Sequence, residues 1–351
     1  MTRDYIILDY TQTDLADPTL TNLYLEPLLQ DTNMASTEPP PTVHRSLIGS
    51  SPNFWLHHTT HGFNLAHPSS PIDPLTTPTL TIQTTTVPIT VDPSKSALII
   101  IDMQNFFLSP ALGRAPDGPG HAACTNLINH AIPAARKAGI KVVWLNWGLT
   151  EEDLESMPPA VKRCFGFYAV PEGEEPGWSS NTSSTNRISV DRFGVPKKND
   201  ARETMYHGLG EPFGTVTLLE SGEQVDGGDL LMRGSWNADI YPPLKEVYNP
   251  SSDAWIHKNR MSGLWGSSTP FQAFLEKEGL RTLFFAGVNT DQCVGGTLTD
   301  AFSNGYDCIL LSDGCGTNSG EGAQKAWEYN AERTYGFCTT CEEVAKGVDK
   351  M

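Results

Sequence analysis

Three side chains of complementary chemistry stand at the ends of apolar segments of this sequence. Asp102 ends a long apolar run, Lys258 ends a shorter one, and Cys293 lies in a polar turn after a third. A thiol acts as a nucleophile, a carboxylate as a general base and an ammonium group as a cation that orients both. The order acid, lysine, cysteine therefore indicates a candidate catalytic site.

Cys293 lies where a strand pattern gives way to a helical one. An apolar run rich in β-forming residues ends near Gly287, a polar turn follows, and a helical spacing begins at Cys293 and ends at Gly305. A thiol at a helix N-terminus lies beside unpaired N–H groups, which predicts a lowered pKa and a nucleophilic thiolate. On this turn alone, a cysteine that merely packs in the core is an equally good interpretation.

The elements around these residues predict a parallel sheet. Strands that are apolar on both faces belong in parallel sheets, whose ligands collect at the strands' carboxyl ends. Strands and helices alternate, which indicates an α/β fold: a doubly wound, mainly parallel sheet flanked by helices. The predicted strands are 97–102, 141–146, 254–258, 284–288 and 307–313, and the predicted helices are 124–138, 270–278 and 321–335, the last of which is expected to be the final helix of the chain. The proline- and glycine-rich loop 105–120 is expected to border the pocket.

Three ordered segments carry a resemblance to a known family. They are Asp102-Met103-Gln104, Lys258-Asn259-Arg260-Met261-Ser262-Gly263 and Gly287-Val288-Asn289-Thr290-Asp291-Gln292-Cys293-Val294. With them, the chain resembles the isochorismatase-like cysteine hydrolases. Within that family it resembles the ureidoacrylate and biuret amidohydrolase branch most, through residues 87–93, 234–237, 258–263 and 329–333. The resemblance extends over roughly residues 85 to 345 with one long interruption, and Leu264 departs from the Phe of relatives.

This resemblance implies several features of the site. The N–H groups of Asn289 and Cys293 would hold an oxyanion, with a cis bond between Val288 and Asn289. Metal-dependent nicotinamidase relatives carry an aspartate and a histidine just past the second strand, where this chain has Asn146-Trp147-Gly148-Leu149. We therefore expect no metal and no cofactor. The resemblance also implies a homo-oligomer, a dimer or tetramer.

The function predicted is hydrolysis of a C–N bond in a small amide, carbamoyl or ureido compound through a thioester on Cys293. Asp102 would act as base and then acid, with its pKa raised by a partly dry pocket, and Lys258 would hold both groups. Core packing explains several of the predicted substrate-binding residues equally well. These residues are Gln104, Asn105, Phe107, Asn146, Trp147, Trp236 and Trp265. His257 and Arg260 are further candidates for binding a carboxylate.

Two other functions fit the sequence. One is vinyl-ether hydrolysis of the isochorismatase type, in which an aspartate protonates the substrate carbon and relatives often lack the cysteine. The other is a catalytically silent interaction protein, with the N-terminal segment as its working part. The presence of Cys293 argues against the first, and the intact set of three catalytic residue types argues against the second.

Domain organisation is predicted from composition. Residues 1–85 form an irregular Pro/Thr-rich arm that aromatic residues such as Phe54 pin to the core, although 79–91 has the alternation of a strand or hairpin. Residues 86–351 form the hydrolase domain, with a long insertion at about 151–232 that is a lid, a subunit-contact arm or a passive surface insertion. A metal site in the histidine cluster His57, His58, His61 and His67 is considered and disfavoured, since no acidic or cysteine ligand accompanies it.

Charge and cysteine content limit the partners and the cellular compartment that we expect for this protein. A net charge of −17 and a pI of about 4.8 disfavour nucleic acid and membrane partners. The apolar runs are too short for a membrane span or a secretory signal. Seven scattered cysteines favour free thiols in a reducing compartment, and hence a cytoplasmic protein. The pair Cys338 and Cys341 is expected to pack in the core.

Overall fold

The structure is a computed structural model, and it describes residues 42–72, 77–174, 187–196, 208–320 and 322–351. The chain divides into two units, Met1–Thr42 and Val43–Met351, and the elements below belong to the second. Residues 1–41 of the predicted arm lie outside the described residues. So does nearly all of the loop predicted at 174–184.

The second unit alternates strands and helices along most of its length. The strands are β1 (Arg45–Ser50), β2 (Asn53–His58), β3 (Gly62–Asn64), β4 (Leu80–Gln83), β5 (Pro88–Val91), β6 (Ser96–Ile101), β7 (Lys141–Trp147), β8 (Phe167–Ala169), β9 (Ile188–Val190), β10 (Thr215–Thr217), β11 (Gln224–Asp226), β12 (Ala254–Lys258), β13 (Thr282–Val288), β14 (Asp307–Gly316) and β15 (Gly336–Thr339). The helices are α1 (Asn105–Leu108), α2 (Pro119–Asn126), α3 (Ile132–Ala138), α4 (Glu151–Glu155), α5 (Pro159–Cys164), α6 (Pro242–Lys245), α7 (Pro270–Glu278), α8 (Gly295–Ser303), α9 (Gly322–Asn330) and α10 (Cys341–Val348). Among the described residues, none of these helices has the length and apolar composition needed to cross a bilayer.

Six parallel strands form the central sheet in the order β12-β7-β6-β13-β14-β15. Alternate residues of β6 face opposite sides: Ile99 and Ile101 pack in one apolar cluster, and Leu98 and Ile100 in another. Helices α7 and α8 contribute to the first cluster, and α2, α3 and α10 to the second. The predicted doubly wound sheet, flanked by helices on both faces, is confirmed.

Local signals in the sequence explain where the helices end. Thr269 caps α7 by accepting a hydrogen bond from the N–H of Gln272, and Gly279, with φ 67°, ends it, as predicted. The predicted helix 124–138 is α2 and α3 joined through a π-helical turn. The helix predicted at 321–335 is not the last element, because β15 and α10 follow it. The sequence gives little signal for β15, a strand of only four residues.

A smaller sheet precedes the central one, with the order β1-β2-β3-β5-β4. The prediction of an irregular arm is therefore wrong for most of the described part of residues 42–85. Residues 79–91, predicted as a strand or a hairpin, form the antiparallel pair β4 and β5, which crosses the predicted boundary at residue 85. Phe54 and Leu65 are buried, and the apolar side chains of β4 and β5 pack in the same cluster as those of α10.

Asp307 joins the two sheets through a buried polar cluster. Its Oδ1 accepts a hydrogen bond from Trp55 Nε1 at 2.8 Å, and its Oδ2 accepts one from Thr282 Oγ1 at 2.8 Å. His67 Nε2 lies 2.7 Å from the same Oδ2. Trp55 and His67 come from the N-terminal sheet region, whereas Asp307 and Thr282 begin the neighbouring strands β14 and β13. The Asp307 carboxylate therefore contacts side chains from both sheet regions.

The predicted insertion at 151–232 contributes to the core in its described parts. It carries the short elements α4 and α5 and the two-stranded sheets β8–β9 and β10–β11. Met157, Phe165, Val216 and Leu230 are buried in the cluster that also holds Ile99 of β6. The described part is therefore a packed wall over one face of the sheet, and a passive surface insertion is not supported.

Candidate active site

Asp102 and Lys258 form a buried ion pair at the carboxyl edge of the central sheet. Lys258 is the last residue of β12, and its Nζ lies 3.0 Å from Asp102 Oδ2. The ammonium group also donates to Arg260 O at 3.1 Å, and Asp102 Oδ1 accepts from the Trp147 backbone N–H at 3.1 Å. The fold thus joins two predicted catalytic residues from strands that are two places apart.

Asp102 has a left-handed backbone conformation, with φ 53°, directly after β6. This conformation is uncommon for a residue other than glycine and is often found at functional turns. The turn is fixed by a bond from Asp102 N to Leu145 O at 3.1 Å and one from Gln104 N to Asp102 O at 2.8 Å. These bonds hold the carboxylate where Lys258 meets it.

Cys293 completes the group from the far side of Asp102. It lies on the π-helical turn Thr290–Val294, between β13 and α8. Its sulfur is 3.5 Å from Met261 Sδ, and the thiol and the Asp102 carboxylate are close enough to shift each other's pKa. The three predicted side chains therefore meet at the ends of nearby strands. The peptide bond between Val288 and Asn289 is cis, as the resemblance implied.

Burial governs protonation at the site. It raises the pKa of the Asp102 carboxyl above its usual 3.8, against the lowering effect of the Lys258 charge. Burial also raises the pKa of the Cys293 thiol to about 12, and the Asp102 charge adds to this increase. The expectation that the helix N-terminus lowers the pKa of Cys293 is therefore wrong. The thiol of the resting site is protonated because desolvation outweighs the nearby positive charge.

Trp147 contacts both the ion pair and the thiol. It lies opposite Lys258 in the register of β7 and β12, and the centroid of its ring is 4.0 Å from Lys258 Nζ. The indole N–H is buried and makes no well-directed hydrogen bond to the described residues. It is close enough to the Cys293 sulfur to lower the pKa of the thiol. Trp147 thus offers a donor where negative charge would form on sulfur.

Gly287 lets β13 approach β6 just before the turn that carries Cys293. Its φ is 115°, and a Cβ at this position would lie 2.0 Å from Ile101 O. Only glycine combines this conformation with so close an approach. Gly287 therefore helps to set the distance between the turn that carries Cys293 and the turn that carries Asp102.

Cys293 borders a cavity of about 300 Å³. Its walls combine aromatic and sulfur-containing side chains with amide and guanidinium groups. The lining residues are Phe106, Phe107, Arg114, Cys164, Phe165, Arg192, Met261, Asn289, Gln292, Cys293, Asn318 and Ser319. This volume suits a small molecule.

Several lining residues were missed by sequence reasoning. Cys164, Phe165 and Arg192 come from the predicted insertion, in which no recognisable motif marks them. Arg114 lies in the loop 105–120, which the sequence did place at the pocket without identifying the residue. Asn318 follows β14, the strand next to β13. A search for polar residues after every strand of the sheet would have found it.

Of the predicted substrate-binding residues, Phe107 lines the cavity and the other six do not. Gln104 is buried, its Nε2 donates to Trp147 O at 2.8 Å and to Ala238 O at 2.5 Å, and its Oε1 accepts from Trp147 N at 3.1 Å. Asn105 Nδ2 donates to Trp236 O at 2.8 Å. These amides hold backbone together, which is why they do not reach the cavity. Trp147 sits behind the ion pair.

The remaining candidates also lie away from the cavity walls. Asn146 is fully buried on β7, and the backbone carbonyl of Trp236 accepts the hydrogen bond from Asn105 Nδ2. Trp265 is 53% exposed and donates from Nε1 to Asn259 Oδ1 at 3.0 Å. His257 and Arg260, considered for binding a carboxylate, are likewise absent from the lining. Arg260 Nη1 donates to the carbonyl of its own neighbour Asn259 at 2.7 Å.

The four histidines of the N-terminal segment fall into different surroundings. His67 pairs with Asp307, whereas the rings of His58 and His61 lie 4.5 Å apart. Over the described ranges, no group of three or more histidine, cysteine, aspartate or glutamate side chains is placed to hold a metal ion. Their placement therefore gives no support to a metal site.

Fold and site together define a class of protein. A doubly wound parallel sheet with an aspartate, a lysine and a cysteine at adjoining strand ends is the arrangement that the resemblance implied. Residues 220–342 match the isochorismatase domain. The predicted resemblance to isochorismatase-like hydrolases is therefore confirmed over these residues.

Individual relatives extend this match over most of the chain. The chain is 29% identical over 275 residues to ureidoacrylate amidohydrolase RutB of Caulobacter segnis, which covers 78% of this chain and 93% of the relative. The same enzyme of Caulobacter vibrioides gives 29% identity over 275 residues, with 78% and 94% covered. A solved cysteine hydrolase from Pseudomonas syringae pv. phaseolicola is 17% identical, with 79% of this chain and 99% of the other covered and a TM-score of 0.47.

Proposed function

We propose that this protein hydrolyses a C–N bond of a small amide, carbamoyl or ureido compound through a thioester on Cys293. Two relatives of similar length are named ureidoacrylate amidohydrolases, and both are hydrolases of C–N bonds. The observation that carries the proposal is the meeting of Cys293 with the buried Asp102–Lys258 pair beside a cavity of about 300 Å³.

The first half of the reaction forms the thioester. Asp102 accepts the proton of the Cys293 thiol while the sulfur attacks the carbonyl carbon of the substrate. The raised pKa of Asp102 suits this transfer, because it brings the base closer to the pKa of the thiol. The tetrahedral intermediate collapses, the C–N bond breaks, and Asp102 delivers its proton to the leaving nitrogen.

The second half releases the acid. Asp102, ionised again, accepts a proton from a water molecule whose oxygen attacks the thioester carbon. The C–S bond breaks, and the thiolate of Cys293 takes back the proton from Asp102. Lys258 keeps its positive charge throughout and limits the cost of a buried negative charge as it moves between carboxylate and sulfur.

The oxyanion is assigned to the backbone N–H groups of Asn289 and Cys293. Asn289 lines the cavity and begins the turn that carries the nucleophile. Backbone donors fixed before the reaction stabilise charge as it develops on the carbonyl oxygen, and one such donor is typically worth about 3 kcal/mol. This role follows from the position of the turn and from the resemblance.

Replacing Cys293 by alanine tests the mechanism. In a panel of small amides, ureides and carbamoyl acids assayed for ammonia, Cys293→Ala should lower kcat by about 10⁴-fold or more, because no nucleophile remains. Intact-mass spectrometry of the wild-type protein during turnover should show an acyl adduct on Cys293. The matched control is Cys124→Ala, which removes a buried thiol on the opposite face of the sheet.

The outcome also separates hydrolysis at Cys293 from the two other functions. A vinyl-ether hydrolase and a catalytically silent protein would both release no ammonia from the panel and form no adduct on Cys293. Turnover that Cys293→Ala leaves unchanged would end the proposal. A thermal unfolding scan of each variant separates loss of chemistry from loss of fold.

A further inference from the structure

The first strand of the smaller sheet has an open edge. Strand β1 stands at the end of the order β1-β2-β3-β5-β4, and among the described strands it pairs with β2 alone. All of its residues, Arg45–Ser50, are exposed. A row of unpaired N–H and C=O groups can bind another strand, and for this reason proteins usually protect such edges. The edge of β1 is therefore a candidate interaction surface.

The register of β1 and β2 shows which backbone groups point outwards. Thr59 N donates to His44 O at 3.1 Å, so alternate residues of β1 from that point direct their N–H and C=O groups to β2. The residues between them direct these groups to the open edge. They are Arg45, Leu47 and Gly49. Outside the β1–β2 pair, no residue in the described ranges forms a hydrogen bond with the backbone of these three.

The side chains along this edge are largely apolar. Leu47 is 48% exposed and Ile48 is 47% exposed, and as neighbours in a strand they lie on opposite faces of the sheet. Val43, just before the strand, is 58% exposed. Arg45 is the one charged residue of β1, although charged side chains commonly protect an edge. Exposed apolar side chains beside unpaired backbone favour a partner strand.

The segment that carries this edge lacks the negative charge of the rest of the chain. The net charge of the chain is −17, yet residues 42–72 contain no aspartate or glutamate. They contain Arg45 and five histidines. Two copies of an acidic chain repel each other, and the repulsion is weakest where acidic side chains are fewest. The charge distribution therefore allows two copies to meet along β1.

We propose that two copies of this chain pair through their β1 strands, antiparallel, about a twofold axis at Leu47. An antiparallel strand is complementary to its own copy, because both offer the same donors and acceptors in reverse order. Arg45 of one copy lies opposite Gly49 of the other, where no side chain competes for space, so the like charges stay apart. The outward groups form about six backbone hydrogen bonds. The two smaller sheets become one continuous sheet.

Pairing through β1 does not depend on hydrolysis at Cys293. Strand β1 lies outside residues 220–342, which match the isochorismatase domain, and none of its residues lines the cavity. The interface belongs to the smaller sheet, so its loss should leave the site intact. A monomer and a dimer of this protein should therefore have the same activity per chain.

Analytical ultracentrifugation of the full chain at a series of concentrations tests the pairing. The wild-type chain should dimerise. Leu47→Lys places two ammonium groups opposite each other at the axis, and Leu47→Pro removes an outward N–H while the bonds to β2 remain. Both should raise the Kd of the dimer about tenfold or more. Leu219→Lys is the matched control, since it adds the same charge at a leucine that is 70% exposed and follows β10 of a different sheet.

A disulfide tests the register of the two strands. The Cα atoms of a hydrogen-bonded antiparallel pair lie about 5.5 Å apart, which a disulfide can span. With oxidised glutathione as the oxidant, two thiols of Leu47→Cys form an S–S bond and glutathione is reduced. This variant should therefore give a linked dimer on a non-reducing gel. Ile72→Cys, at a residue that is 91% exposed and outside the strands, should stay mostly unlinked.

Three results would overturn the pairing. One is a wild-type chain that stays monomeric. Another is a dimer whose Kd changes no more in the Leu47 variants than in Leu219→Lys, since another surface would then hold it. The third is a chain that dimerises when it starts at Val43 but not at full length, because the preceding segment would then occupy the edge.

Two further measurements on the same variants separate pairing from folding and from catalysis. Thermal unfolding should show that the Leu47 variants keep their fold. Ammonia release per chain should be the same in the Leu47 variants as in the wild type. Absence of ammonia release from every form, with dimerisation intact, would contradict hydrolysis at Cys293 and support pairing through β1.

Discussion

At the scale of single residues, the site contains a protonated thiol, that of Cys293, whose pKa is raised. Burial raises the pKa of Cys293 to about 12 and raises that of Asp102 as well, so the two groups shift in the same direction. Proton transfer from sulfur to carboxylate therefore needs a cation and donors beside it. Lys258 at 3.0 Å from the carboxylate and the indole N–H of Trp147 near the sulfur supply them.

The pH–rate profile tests the contribution of Lys258. Asp102 must be ionised to accept the thiol proton, so activity should fall as pH decreases through the pKa of Asp102, at a midpoint above 3.8. The charge of Lys258 lowers that pKa. Lys258→Met should therefore move the acid limb to higher pH, and Lys258→Arg, which keeps the charge, should move it less. An acid limb that stays in place in Lys258→Met contradicts this assignment.

Trp147→Phe tests the indole donor. The ring face remains against Lys258, but the N–H near the Cys293 sulfur is lost, so kcat/KM should fall about tenfold and alkylation of Cys293 should slow. Trp144→Phe removes an indole N–H from the same strand. That N–H donates to Asp253 Oδ2 at 3.1 Å, away from the site, so stability should fall and activity should persist. Equal loss of activity in both variants would indicate a structural role for Trp147.

The meeting of Asp102, Lys258 and Cys293 was predictable because each lies at or after the end of a strand, and strand ends converge in a parallel sheet. The protonation state of Cys293 was not predictable, because burial by residues distant in sequence determines the pKa of its thiol. The sequence identified only some of the residues that line the cavity. Phe107 was identified, but Gln104 and Asn105 proved to brace backbone, which residue type alone does not reveal. Arg192 carries no local signal at all.

At the scale of elements, the smaller sheet is joined to the central one through polar contacts, among them the Asp307 carboxylate and the hydrogen bond from Thr339 Oγ1 to Gln83 O. The buried carboxylate of Asp307 accepts hydrogen bonds from Trp55 and Thr282 and contacts the ring of His67. Unpaired buried donors are costly, so this cluster specifies where β14 and the N-terminal strands meet. The sequence predicted the β4–β5 hairpin from its alternation. It could not predict β1–β3, whose described residues are mostly exposed or half-buried and so lack a clear apolar period.

Asp307→Ala should destabilise the protein by about 3 kcal/mol or more, because buried donors lose their acceptor. Chemical denaturation followed by fluorescence measures this change. Asp349→Ala is the matched control, since Asp349 pairs with Lys137 at 2.7 Å on the surface and both side chains are largely exposed. A change in Asp307→Ala no greater than in the control would show that the cluster contributes little.

At the scale of the whole molecule, the site belongs to the unit Val43–Met351. Both apolar clusters and every residue proposed for catalysis or binding lie within it. The insertion at 151–232 is part of this unit, since it supplies Phe165 to the core and Arg192 to the cavity. Composition alone marked the segment as unusual. Its packing depends on partners far away in the chain.

Two truncations test where this unit begins. A chain that starts at Val43 should keep its thermal midpoint and its activity to within about twofold, because the unit retains its own core. A chain that starts at residue 86 loses β1–β4, including Trp55 and His67 as partners of Asp307, and should unfold at a markedly lower temperature. Calorimetry of both forms measures the difference. Equal stability would support the boundary at residue 85 predicted from composition.

The position of Cys164 has a practical consequence for covalent inhibitors. It is the one cysteine of the described residues that is not buried, and it shares the cavity wall with Cys293. An electrophilic warhead that enters this cavity therefore meets a second sulfur beside the nucleophile. In a Cys164→Ser variant, only Cys293 would offer a thiol at this wall. One equivalent of bound warhead would then correspond to one modified Cys293, so the number of active sites could be titrated directly.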